Sequence, residues 1–425
     1  MFLQFSVNNF RSIKETVTFS MNAGSSPEGK HRFQINNHIL LNSAVIYGAN
    51  ASGKSNLLKA MLFMRNRVLN TDEIKQPTDI LAHEPFCLNT ETEHASSYFE
   101  IIILLEETKY RYGFEADSNT VYAEWLYKEK SNNETRLFDR DTEDNNHYVN
   151  KQKFKEGIDL TAYNNQLFIW QCEKNNGDIS QKIMQWFRNF NLIDELENDG
   201  YFNISLQQLQ NKDAKNKLLK LVKAADLGID NILIEEQDIT DDFINNAPFS
   251  DEIKQKIIHD GGLSSIELKI QHKKFNADNK PIGTVLFDLS ENESQGTKKF
   301  FALIAPILDT LENGKVLLVD QLDTGIHPLL MECLIQLFNN KEFNKHHAQL
   351  IFTAHNTNLL SVPELFEREQ IWFTEKDKYG NTELYSLLEF KKNTLNKDLK
   401  TADNLERYYL QGRYGAVPRL GGLDE

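Results

Sequence analysis

The chain has 425 residues, of which 40% are apolar and 26% charged, enough for a large core or two lobes and ordinary for a globular protein. Its formal charge of −15 argues against nonspecific coating of DNA, although a local basic groove stays open. No stretch approaches the roughly 18–20 uninterrupted apolar residues of a membrane span. The opening MFLQFSVNNFRS alternates like a strand instead of showing a signal peptide, so a cytoplasmic protein without membrane contact is expected. Cys87, Cys172 and Cys333 have neither paired nor metal-ligand spacing, which suits a reducing compartment and speaks against structural zinc.

In chain order, strands are expected around 2–7 and 14–20. The apolar run Ser43-Ala44-Val45-Ile46-Tyr47 then enters a glycine loop and a helix carrying Leu57, Leu58, Met61 and Leu62. From about 97 to 140, FEIIILLEE, KYRYGFEA and TVYAEWLYKEK are separated by short polar breaks. They predict an antiparallel meander, a small β lobe beside the loop. A polar stretch over 141–160 precedes a helical region, 161–228, holding SQKIMQWFRNF and NKLLKLVKAADLG and read as an inserted lobe. Strands near 229–236, 265–273 and 284–288 follow. An α/β rhythm then returns: helix 294–312, strand VLLVD, helix 327–339, and strands QLIFTAH and QIWFT. The expected organisation is an α/β head in two halves, 1–160 and 229–425, with the helical insertion between them. Neither an internal repeat nor a low-complexity tract is evident.

Gly48-Ala49-Asn50-Ala51-Ser52-Gly53-Lys54-Ser55 matches the phosphate-loop pattern GxxxxGK[ST]. In such a loop the glycines let backbone N–H groups turn around phosphates, the lysine reaches the β/γ oxygens, and the Ser55 hydroxyl ligates Mg²⁺ at a helix start. Asn50, Ser52 and Asn56 complete the candidate ATP contacts. Val316-Leu317-Leu318-Val319-Asp320 is an apolar strand ending in a carboxylate, where nucleotide enzymes place a metal-orienting aspartate. Gln321 follows directly. Ser294-Gln295-Gly296 opens an apolar helix upstream, by itself indistinguishable from an ordinary N-cap. His355 ends the strand QLIFTAH, and Asp323 either caps the next helix or lies in a loop at a subunit interface.

Phosphate loop, Ser294-x-Gly296, Asp320-Gln321 and His355 follow one another as in ABC ATPases, which the chain resembles. That resemblance implies that Ser294 and Gly296 cap the γ-phosphate of ATP held by the opposite subunit, and that His355 is a switch histidine contacting the γ-phosphate. The position of Gln321 is normally a glutamate that takes a proton from the attacking water. An amide holds water but is no base, and losing a general base costs about 10²- to 10⁴-fold in rate. Either the natural protein hydrolyses poorly or a Glu→Gln exchange traps the ATP state. In chromosome-maintenance and repair members, a segment like Asn9-Phe10-Arg11-Ser12 lies against nucleotide, making Arg11 and Ser12 candidates beside the phosphates. Residues 69–96 offer no distinctive match for the glutamine that ABC proteins use near the metal.

Over nearly its full length the chain is similar to the AAA15-like ABC ATPases of anti-phage systems, of the AbiL, RloA and PARIS types. The shared features are FxVxNFRS, GANASGKSNLLKA, KYRYGFEA…EWLY, VDQLDTGIHP, TAHNTNLL and GRYGAVP. This implies an ATP-bound dimer or higher oligomer that responds to a phage trigger and controls a separate toxic effector, such as a TOPRIM nuclease. About 70 residues follow His355, too few for a fused effector domain. A RecF- or Rad50-like repair clamp would share every ATP motif, but the acidic charge and the absence of a long coiled coil disfavour it. A transporter subunit would need membrane partners. Lys212, Lys215, Lys220 and Lys223 could touch DNA or an effector, though a solvated helix face is the simpler reading.

Overall fold

The computed structural model describes residues 1–24, 29–69, 76, 78–130, 133–144, 146–193, 216, 219–220, 223, 229–239, 263–389 and 405–418. These fall into two compact units. The first contains 1–194, 310–324 and 331–425, and the second contains 195–309 and 325–330.

In the first unit, β1 (Phe2–Asn8), β2 (Val17–Ser20), β3 (Arg32–Ile35), β4 (His38–Leu41) and β5 (Ser43–Gly48) lead into helix α1 (Lys54–Leu69). The meander follows as β6 (Ser97–Leu105), β7 (Thr108–Ala116), β8 (Val121–Lys130), β9 (Asn133–Asp141) and β10 (Asn146–Val149). Among the described residues it joins the N-terminal hairpin in an antiparallel sheet of order β10-β9-β8-β7-β6-β1-β2. Along β6 buried and half-buried residues largely alternate, the period-2 pattern of a sheet with one face on the core.

Helices α2 (Phe168–Lys174) and α3 (Asp178–Arg188) come next, then β11 (Phe190–Ile193). The amphipathic α3 buries Ile183, Met184 and Phe187, which join Phe2 and Phe5 of β1, Leu58 and Met61 of α1 and Trp170 of α2 in one core. On β8 the carboxylate of Glu124 is fully buried. It accepts hydrogen bonds from the amides of Phe168 and Ile169 and from the Tyr112 hydroxyl, with Arg140 4.0 Å away. Two amides at the helix start and the Tyr112 hydroxyl from β7 replace lost water, and the two amides tie the β lobe to α2. Burial still pushes its pKa up.

The second unit holds β12 (Ile229–Ile239), β13 (Leu263–Phe275) and β14 (Pro281–Asp288), paired antiparallel in that order. The short helix α4 (Leu289–Asn292) then precedes α5 (Gln295–Asn313), which runs from this unit into the first. Back in the first unit lie β15 (Val316–Val319), most of α6 (Pro328–Asn339), β16 (Gln349–Thr353), β17 (Ile371–Lys376), β18 (Thr382–Ser386) and α7 (Leu405–Leu410). They complete a second sheet of order β11-β15-β16-β5-β17-β18. Every pair is parallel except β17–β18, and β5, β15 and β16 are buried along their whole length.

The chain is thus α/β, with a strand-loop-helix at the phosphate loop and an antiparallel β lobe, as expected. The region read as a helical lobe differs in detail. Helices α2 and α3 belong to the core of the first unit, and β11, unanticipated, pairs with β15. Most of 194–228 lies outside the described residues, including Lys212 and Lys215, whereas Lys220 and Lys223 are helical and exposed. Among the described residues no helix is long and apolar enough to cross a membrane, and all three cysteines are free.

Candidate nucleotide site

Because β15, β16, β5 and β17 run parallel, their carboxyl ends share one edge of the sheet, where ligands of such sheets bind. The phosphate loop leaves β5 at this edge. Ala51 and Gly53 take positive φ of 61° and 108°. A Cβ on Gly53 would come within 2.2 Å of Thr382 Oγ1, and one on Gly48 within 2.4 Å of the Thr374 carbonyl, so the β17–β18 hairpin leaves the loop no room for side chains there. The same hairpin holds it: Ser52 Oγ and Thr374 Oγ1 are 2.7 Å apart, and Thr382 Oγ1 donates to the Ser52 carbonyl at 3.0 Å.

Lys54 is 5% exposed, and its ammonium donates to the carbonyls of Gly48 (2.8 Å) and Ala49 (3.0 Å). Burial lowers its pKa to about 8, against the opposing pull of Asp320 and Asp323. A buried cation spanning a glycine loop of this pattern is a site for phosphate oxygens.

Asp320, at the end of β15, is 5% exposed. Thr353 at the end of β16 donates to its Oδ1 at 2.5 Å and accepts from the Gln321 amide at 2.7 Å, so one hydroxyl fixes both residues. Gln321 has φ 51° and an exposed side chain, with the Thr324 hydroxyl 3.4 Å from its Oε1. Asp323 Oδ2 accepts from the amides of His355 (2.7 Å) and Asn356 (2.6 Å). Of the two roles open to Asp323, the contact observed within this chain is to the turn carrying His355. The His355 pKa is lowered by burial first and by Lys54 second, with Asp323 and Asp320 opposing.

These groups line one open cleft of about 690 Å³. Its walls are Asn50 to Asn56, Gln321, His355 and Lys376, a volume suited to a nucleotide-sized ligand. Of the expected residues, Asn50, Ser52, Gly53, Lys54, Ser55, Asn56, Gln321 and His355 are brought together there, with Gly48 at the root of the loop and Asp320 behind Gln321. Glycines where the hairpin crowds the loop, a buried lysine and an Asp320 anchored by Thr353 fit a triphosphate with its metal. No group of three or more His, Cys, Asp or Glu capable of holding a metal occurs among the described residues, so Mg²⁺ held by Ser55 and Asp320 would draw on phosphate and water for its remaining ligands.

Arg11 and Ser12, the other expected phosphate neighbours, are not among the residues lining the cleft. Arg11, at φ 51°, pairs through Nε with Glu84 at 2.5 Å. Ser12 is buried behind the loop, hydrogen-bonded to Thr382 (2.8 Å) and Asn56 (2.7 Å), and acts as a support. Asn9 is the pivot of this segment. Its side chain donates to the carbonyls of Thr92, Ala95 and Ser96 and accepts from the Phe86 amide.

Within the second unit, Ser294 Oγ accepts from the Thr297 amide at 3.1 Å, the bond of an N-cap, and is exposed. Gly296 backs onto the Gly325 carbonyl. Sequence reasoning missed Lys376, Thr353 and the clamp of Asp323. Asp323 and Thr353 stand in the stretches VDQLDTGIHP and TAHNTNLL, which do not by themselves disclose these bonds, and the advance signal for Lys376 was its place after the strand QIWFT.

The family model described as "AAA domain, putative AbiEii toxin, Type IV TA system" matches residues 43–361. Among solved structures the chain is similar to the SMC head domain from Thermotoga maritima, at 13% identity and a TM-score of 0.38, covering 91% of this chain and 98% of that one. Comparison with curated proteins finds no match.

Proposed function

The chain belongs to the AAA-domain family so matched, and we propose that it is a regulatory ABC-type ATPase that binds Mg-ATP in this cleft, closes as a dimer around it, and hydrolyses it slowly. The observation that carries this reading is the convergence of Lys54, Ser55, Gln321 and His355 on one cleft at the carboxyl edge of the parallel sheet. Lys54 offers the phosphates a positive charge already desolvated by its surroundings, and Ser55 with Asp320 would hold Mg²⁺, which withdraws charge from the phosphate oxygens. Gln321 orients water with its amide but cannot accept a proton from it. His355, kept neutral near pH 7 by its lowered pKa, donates one hydrogen bond from its ring, and Asp323 sets where that ring stands.

We further infer a control role in anti-phage defence of the AbiL, RloA or PARIS type, with a separate effector such as a TOPRIM nuclease. The family description, which names a toxin–antitoxin system, supports a role in defence. ATP would then act as a ligand that favours one assembly state by its differential affinity. Titration of Mg-ATP into the parent protein and Lys54→Ala tests the site: most binding should be lost in the variant, and equal affinity in both would overturn the assignment.

A further inference from the structure

We propose that Lys376 is a second phosphate-binding cation of this cleft, acting from the flank of β5 opposite Gln321 and His355. The inference rests on the nucleotide reading above and adds a residue to it. In the strand order β15-β16-β5-β17, Gln321 follows β15 and His355 follows β16, whereas Lys376 ends β17 on the other side of the loop. Thr374 pairs with Gly48 in the β5–β17 register and hydrogen-bonds Ser52 through its side chain. Residues two apart on a strand share a face, so Lys376 projects from the same face as Thr374, and it lines the cleft together with Asn50 to Asn56.

The charges around it point the same way. Its neighbour Glu375 is turned elsewhere, accepting from the Tyr385 hydroxyl and the Ala416 amide. Among the described residues the Lys376 ammonium has no ion-pair partner, while Arg11, the cation the sequence nominated for this task, is bound to Glu84. An exposed lysine at the rim of an anion cleft can meet phosphate oxygens as a mobile point charge without disturbing the fold.

The test uses the full chain with a non-hydrolysable Mg-ATP analogue as probe, titrated into the parent, Lys376→Met, Lys376→Arg and Lys54→Ala at low and high salt. The methionine keeps the aliphatic stem and removes only the charge. Lys376→Met should raise Kd about three- to tenfold at low salt, with the gap narrowing at high salt. Lys376→Arg should restore most of the loss, and the melting temperature without nucleotide should not change. Parent-like affinity in Lys376→Met alongside lost binding in Lys54→Ala overturns the role of Lys376 and leaves the cleft standing. So does a loss that arginine does not repair. Equal affinity in the parent and Lys54→Ala overturns the nucleotide site, and Lys376 with it.

Discussion

Lys54 holds an ammonium group inside the loop it serves, and burial brings its pKa down from 10.5 to about 8. Below that pH the group is charged before nucleotide arrives and binding takes up no proton. Above it, binding must protonate Lys54, so Kd for Mg-ATP should rise with pH, by up to about tenfold per unit, until the pKa of the bound state is reached. Lys54→Arg should flatten that profile, and titrations on either side of pH 8 measure it. A flat profile in the parent would contradict the buried-cation account. Gln321 poses a different question at the same scale. Its backbone already has a positive φ, and Glu is nearly isosteric, so Gln321→Glu should leave the loop and metal ligands in place. Turnover should rise by about two orders of magnitude or more with little change in affinity, as read by steady-state phosphate release against a Lys54→Ala control. If the glutamate form stays as slow as the parent, Gln321 is not what blocks hydrolysis.

Asp323 clamps the turn after β16, taking both the His355 and Asn356 amides on one oxygen. In a Gln321→Glu background, Asp323→Ala should lower turnover by about tenfold while leaving Kd within about twofold, because the loop that binds phosphates is untouched. Asp323→Asn retains an acceptor and should keep most of the rate. Equal rates for all three would deny the turn any part in catalysis. At the other end of the unit, Glu124→Ala strips the start of α2 and Tyr112 of their buried acceptor and should cost about 2–4 kcal/mol in denaturant unfolding. These contacts mark the boundary of what the sequence discloses. Strand β5, α1, the meander and β15 were legible because apolar runs of distinct period end in glycine or charge. Strand β11 was not, since four residues after an amphipathic helix carry no period of their own. The Thr353, Thr374 and Thr382 hydroxyls that fix Asp320 and the loop join residues far apart in the chain, and only the folded sheet brings them together. The Arg11–Glu84 pair was hidden for a related reason, as Glu84 becomes a neighbour of Arg11 only through folding.

The whole chain comprises two units, the first carrying the cleft and the second carrying Ser294 at the start of α5. In the proposed dimer each cleft is completed by Ser294 and Gly296 of another copy. Slow hydrolysis would then prolong the closed state, during which an effector could be held or released. The most direct measurement is light scattering of the parent, Lys54→Ala and Ser294→Arg proteins with and without Mg-ATP. Mass should double with Mg-ATP in the parent alone: Lys54→Ala lacks the ligand, and Ser294→Arg places bulk where the γ-phosphate must sit. A parent mass indifferent to ATP, or a Ser294→Arg protein that assembles with ATP as the parent does, would contradict an ATP-sandwiched dimer.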